Sequence, residues 1–175
     1  VLSGSLPILM TVISLTLYLV LQIIYQIMIE GDLKDIGMSE ASLLGKLGVR
    51  LEEGRFRSSL RAKALSSGIK ILSIAVLVSA LLFQKAPWWD HIPIFLFGVI
   101  LMTLDRGLMR NGKWDHGKCL RTMALMEVAS TFALIAALAP SIGGILPALA
   151  LMLFMMAYFI AMNRVLWSTG LTPRV

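Results

Sequence analysis

The stretch LPILMTVISLTLYLVLQIIYQIMI, residues 6–29, decides what kind of chain this is. From Leu6 to Ile29 it carries no charged residue. At the helical rise it is long enough to cross the ~30 Å hydrocarbon core of a bilayer. Pro7 falls in its first turn, where a missing backbone N–H does no harm. No basic region precedes the run, so it reads as a membrane span rather than a cleavable signal. Val1 in place of Met is compatible with a processed chain, a truncated one, or a literally translated alternative start codon.

Composition agrees with that reading. Of 175 residues, 58% are hydrophobic, more than a soluble domain of this size can hide. The formal net charge of +6 does not indicate nucleic acid, because the charges flank apolar runs instead of forming a basic face. One cysteine, Cys119, excludes an internal disulfide.

Four more apolar runs follow, at 64–83, 88–106, 119–139 and 145–162. The uninterrupted core of the third, Ile92–Leu104, is short. It spans fully if Trp88 and Trp89 mark one interface and Arg106 reaches for the other, and a re-entrant segment is the alternative. Pro140, Gly143 and Gly144 predict a tight turn joining the last two spans as antiparallel neighbours. The 16 Lys and Arg are unevenly placed. All but two lie in the loop 30–65, between Asp105 and Arg121, or in the tail at Arg164 and Arg174; Lys85 and Lys70 are the exceptions. By the positive-inside rule, these loops face the cytoplasm. The expected fold is therefore all-α: one membrane domain over residues 1–175, five transmembrane helices, N-terminus out and C-terminus in, in a bacterial inner membrane.

The loop between the first two spans predicts an amphipathic cytoplasmic helix over 39–63. Ser39 is its candidate N-cap, and Leu43, Leu44, Leu47 and Leu51 recur at helical spacing. Gly54 is a candidate break before the basic stretch RFRSSLRAK. Leu43, Leu47 and Leu51 with Arg55, Arg57 and Arg61 would form a surface for anionic lipid or for a cytoplasmic partner.

Motifs for chemistry are missing. No glycine-rich phosphate loop, HExxH or paired-cysteine motif occurs, so no enzyme activity, cofactor or metal is expected. His91 and His116 flank opposite faces of the bilayer and cannot share a haem. Asp115, His116 and Cys119 in WDHGKC read better as a solvated loop than as a metal site. Met123, Met126, Met152, Met155 and Met156 read as apolar filler rather than a Cu(I) path. A membrane enzyme using Asp105, Asp115 and His116 has no supporting spacing.

What remains is a set of polar residues inside the spans. Glu127 sits in TMALMEVAST with Ser130 and Thr131 one turn on, about 10 Å deep at the helical rise. Lys70 lies at a comparable depth, roughly 9 Å, on a face with Ser66, Ser67 and Ser73. Thr11, Ser14, Tyr18, Gln22 and Tyr25 form a polar stripe along the first span. Glu127, Lys70, Gln22, Tyr25, Ser130 and Thr131 thus form a candidate intramembrane cluster. Two readings stay open: a packing cluster, with Lys70 and Glu127 paired or Glu127 meeting Gln22, Tyr25 or a neighbouring subunit, and a proton or ion relay.

In length, multi-pass outline and lack of enzymatic signature, the chain resembles small inner-membrane subunits of conjugation and type IVB secretion systems. That resemblance implies a non-enzymatic structural subunit among membrane lipids and other membrane subunits, or copies of itself, without direct nucleic-acid contact. A small oligomeric transporter or channel is the alternative.

The charge asymmetry makes a direct prediction. On a Cys119→Ser background, cysteines introduced at Ser3 and Trp88 should label from outside intact cells. Cysteines at Ser42 and Thr172 should label only after lysis, and outside labelling of Ser42 would overturn the topology.

Overall fold

The computed structural model describes residues 2–36 and 42–167. The expected N-cap at Ser39 and the tail with Thr172 and Arg174 lie outside them. Helix makes up 81% of the structure, and five helical stretches are long and apolar enough to cross a membrane. These are Leu6–Lys34, Leu60–Phe83, Trp88–Leu108, His116–Ile142 and Ile145–Met162.

Helix α1 (Leu2–Tyr25) passes through a π-helical turn, Gln26–Gly31, into the short α2 (Asp32–Lys34). Helix α4 (Leu60–Phe83) starts at Ser59, whose hydroxyl accepts from Ala62 N at 3.2 Å. A single 3-10 turn, Trp88–Asp90, leads into α5 (His91–Leu108). Helix α6 (His116–Leu138) is capped by Asp115, which accepts from Lys118 N at 2.9 Å. Pro140 starts the 3-10 turn Ala139–Ile142, and Gly143 and Gly144, at φ 96° and 106°, turn the chain into α7 (Ile145–Trp167). Left-handed backbone of this kind favours glycine, as the predicted tight turn requires.

Packing is sequential. Helix α1 lies on α4, α4 on α5, α5 on α6, and α7 mainly on α6, with α4 also reaching α6 across the middle. Helices α1, α4, α5 and α6 therefore form a four-helix arrangement with one looser edge, between α1 and α6. Gly98 lets α5 approach α4 closely, since a Cβ there would meet Ile74 Cδ1 at 3.0 Å. With its 3-10 turn, α5 is one continuous helical stretch over Trp88–Leu108, 21 residues, long and apolar enough to cross a membrane.

The expected amphipathic helix over 39–63 is not formed, and this corrects the sequence reading. Only Leu43–Lys46 is helical (α3), followed by strands β1 (Arg50–Glu52) and β2 (Arg55–Arg57). Helix α3 ends in a Schellman arrangement, with Gly48 N bonded to Gly45 O, Val49 N to Leu44 O, and Gly48 at φ 85°. Two residues later β1 begins, and Glu53 and Gly54 both take positive φ, as a two-residue type I′ hairpin requires. The matching leucine spacing joins two short elements rather than marking one helix. Leu44 is buried in the core, and Leu43, Leu47 and Leu51 are half-buried.

Strand β3 (Gly112–Lys113) pairs with β2, giving a three-stranded sheet in the order β1-β2-β3. Phe56 stacks on Trp114 at 5.1 Å, and Ser58 Oγ donates to Met109 O at 2.6 Å. The loops after α2 and after α5 are therefore one unit at one end of the bundle. At the other end, Gln84 Nε2 donates to Ala137 O at 3.0 Å and Ser141 Oγ donates to Gln84 Oε1 at 2.6 Å. The two basic loops, after α2 and after α5, gather at the sheet end.

Candidate functional site

Two apolar clusters fill the bundle. The one near the sheet includes Ile29, Leu33, Leu44, Phe56, Leu101 and Met126; the other includes Tyr18, Leu77, Leu81, Ile94 and Ala136. Polar side chains are set into this packing, and Asp105, within the sheet-side cluster between Leu101 and Leu108, is their hub. Its position follows from helix period: Ile94, Gly98, Leu101, Asp105 and Leu108, at spacings of four and three, make the buried face of α5.

Asp105 is fully buried yet fully served. Tyr25 OH on α1 donates to Oδ1 at 2.8 Å, Ser67 Oγ on α4 donates to Oδ2 at 2.8 Å, and Ser66 Oγ donates to Oδ1 as well. The carboxylate thus joins three helices. In a medium without water, hydroxyl donors are what make its burial tolerable.

One turn outward, Lys70 (2% exposed) donates from Nζ to Gln22 Oε1 at 3.0 Å and lies over the Tyr25 ring, 3.5 Å from its centroid. Ser130 Oγ donates to the same Gln22 oxygen at 3.2 Å, and Tyr18 OH donates to Ser130 O at 2.7 Å. Tyr18, Gln22, Tyr25, Lys70 and Ser130 therefore meet as the helical spacing predicted, with Thr11, Ser14, Tyr18 and Tyr25 all buried along the stripe.

Glu127 does not join them through Lys70. Among the described residues the two ion pairs are Arg50–Glu52 and Arg57–Glu52, both exposed on the hairpin, so the expected Lys70–Glu127 pair is not made. Thr131 Oγ1 turns back to the Glu127 carbonyl at 2.9 Å. The Glu127 side chain instead lines a crevice of about 320 Å³ at the loose α1/α6 edge, with Gln22, Gln26, Glu30, Lys70 and Thr131 also on its walls. The exposed Leu19 and Ile23 form its rim, so it opens sideways, toward the surroundings of the bundle. Glu30 is 2% exposed and its Oε2 has no hydrogen-bond partner; Gln22 Nε2 is likewise unpartnered. The crevice is thus the polar feature that the chain leaves unsatisfied.

Sequence reasoning left Glu30 out, as the first charge of a loop, and weighed Asp105 only as an interfacial catalytic candidate, not as a member of the polar cluster. The signals were present: Gln22, Gln26 and Glu30 continue the α1 stripe at steps of four, and Asp105 shares the buried face of α5. The other candidates scatter. His91 begins α5 and His116 begins α6, Asp115 is a helix cap, and Cys119 is buried in the apolar core. Asp105 and the Asp115–His116 pair are not brought together. Met123, Met126 and Met152 are buried core residues, and among the described residues no three His, Cys, Asp or Glu are grouped as metal ligands. Arg55, Arg57 and Arg61 stand exposed at the sheet end, with Arg57 3.8 Å from Glu52. No protein-family model, curated protein or solved structure gives a significant match to the chain.

The absence of a direct Lys70–Glu127 bond has a measurable consequence for the isolated chain in bicelles. Because Lys70 bonds Gln22 and not Glu127, Lys70→Met should add to the destabilisation of Glu127→Leu and not relieve it. Rescue of Glu127→Leu by Lys70→Met would show that the two are directly paired.

Proposed function

We propose that this chain is a non-enzymatic structural subunit of a larger membrane assembly, held by lateral contacts between helices. One observation carries the reading: the unsatisfied crevice opens sideways at the α1/α6 edge, while among the described residues no charged side chain is buried between Lys70 and the end of the bundle away from the sheet. A carrier site must reach water on both faces, through a cavity or broken helices. In the outer half the space between helices is filled by residues such as Leu77, Leu81, Ile94 and Ala136. A sideways opening suits another helix. Partners there would satisfy Glu30 and Glu127, and polar groups facing a bundle interior or a subunit neighbour are the usual arrangement for costly intramembrane charges. The outline resemblance to conjugation and type IVB secretion subunits makes such an apparatus the first assembly in which to look.

A second reading, a small oligomeric transporter with Glu127 as relay, draws on the π-helical turn Gln26–Gly31, which places Glu30 beside the crevice. Helix irregularities of this type recur at functional sites.

Mass measurement after gentle extraction from native membranes separates the two. The 19.2 kDa chain should run in a complex with other membrane proteins, and the purified chain alone should show no Glu127-dependent proton or cation flux in vesicles. Flux that Glu127→Gln abolishes without disturbing assembly would replace the first reading with the second.

A further inference from the structure

We propose that the crevice is one half of a contact between copies of this chain, in which Arg106 of one copy enters the crevice to meet Glu127 of the next. The inference rests on the lateral-assembly reading above and names one of the partners.

The crevice calls for a cation. Glu30 and Glu127 line it, Lys70 is the one Lys or Arg on its walls, and that ammonium is turned to Gln22 and the Tyr25 ring. Glu30 Oε2 is buried without a partner, which is a costly state for a carboxylate in low dielectric. Among the described residues no three His, Cys, Asp or Glu are grouped as metal ligands, so a guanidinium or ammonium fits better than a metal ion. A guanidinium offers five donors in a planar fork that matches a carboxylate.

Arg106 is at the right depth to supply one. It follows Asp105, whose side chain meets Tyr25 and Ser66; Tyr25 in turn lies between Gln22 and Glu30 along α1. Arg106 is therefore level with the sheet-side half of the crevice. It is exposed beside a shallow apolar depression formed by Ile74, Phe95, Gly98 and Val99, and it has no ion-pair partner among the described residues. Lys70 cannot play this part, being 2% exposed inside its own bundle.

The two surfaces are complementary and separate. The depression lies on the α4/α5 edge of the four-helix arrangement, and the crevice on the opposite α1/α6 edge. Each copy can give Arg106 to one neighbour and receive it from another. Such head-to-tail contacts generate rings, or open rows if the rotation does not close. The competing fate of Arg106 is to extend along the lipid to the headgroups. That alternative involves no second copy, so it predicts no dependence of self-association on Arg106.

The test uses two differently tagged copies of the full chain, co-expressed and co-isolated from membranes in mild detergent. Glu127→Gln keeps the side-chain shape and Arg106→Gln leaves a shorter, uncharged polar side chain; each should lower co-isolation roughly tenfold, as expected for the loss of a close charge pair. The double neutral variant should be no worse than either single one. The charge exchange, Arg106→Glu with Glu127→Arg in one chain, should restore co-isolation that each substitution alone removes. Recovery of monodisperse protein for every variant guards against simple misfolding. Co-isolation indifferent to these changes, or independent losses that accumulate in the double neutral variant, overturns the contact while leaving the assembly reading intact. A chain that is monomeric and without partners in its own membrane overturns both.

Discussion

A carboxylate buried among apolar helices needs donors, and the protein must provide them itself. Asp105 meets that constraint with Tyr25 from α1 and Ser66 and Ser67 from α4. The hydrophobic effect gives little preference for one helix neighbour over another inside lipid, so bonds of this kind fix which helices meet and at what register. With Asp105 in place, α1, α4 and α5 are fixed together at one depth. Lys70, Gln22 and Ser130 then form the next layer and bring in α6. Apolar packing fills in around these two layers.

The same constraint separates structural polar groups from those left for something else. The carboxylate of Asp105 is served at both oxygens, whereas Glu30 Oε2 has no partner and Glu127 is half-buried at the wall of an open crevice. Loose edges follow the same pattern. Helix α1 has α4 as its main neighbour and meets α6 chiefly through the Tyr18, Gln22 and Ser130 contacts, and the crevice occupies what that edge leaves unfilled. At the sheet end, the hairpin, β3 and the Phe56–Trp114 stack tie two loops into one cap, which holds the ends of α4, α5 and α6 at fixed separations.

Much of this was legible in the residues. Apolar runs bounded by Pro, Gly and charge marked all five long helices, because length and hydropathy alone decide them. Helix period aligned Tyr18, Gln22, Tyr25, Lys70 and Ser130 before any coordinates, since side chains three and four apart must share a face. The hairpin was not legible for a reason of the same kind. Leu43, Leu47 and Leu51 keep a helical spacing by coincidence across α3 and β1, and positive-φ turns at Gly48 and at Glu53–Gly54 break the run. Gly54 was recognised as a break, but Gly48 and Glu53 gave no comparable warning. Asp105 fell within the third run and was weighed only as an interfacial catalytic candidate, although its place on the Gly98–Leu101 face joins it to the polar residues of α1 and α4.

The central claim is that the Asp105–Tyr25 bond organises the bundle, and a double-mutant cycle on the isolated chain in bicelles addresses it most directly. Unfolding free energy would be measured for the wild type, Tyr25→Phe, Asp105→Leu and the double variant. The account predicts a coupling of about 0.6–1.7 kcal/mol, from the mean to the maximum measured for hydrogen bonds between membrane helices, with Tyr25→Phe costing clearly less once Asp105 is gone, when only its contact with Ser66 remains. A coupling indistinguishable from zero would contradict it, and would place the order of the bundle in apolar packing alone.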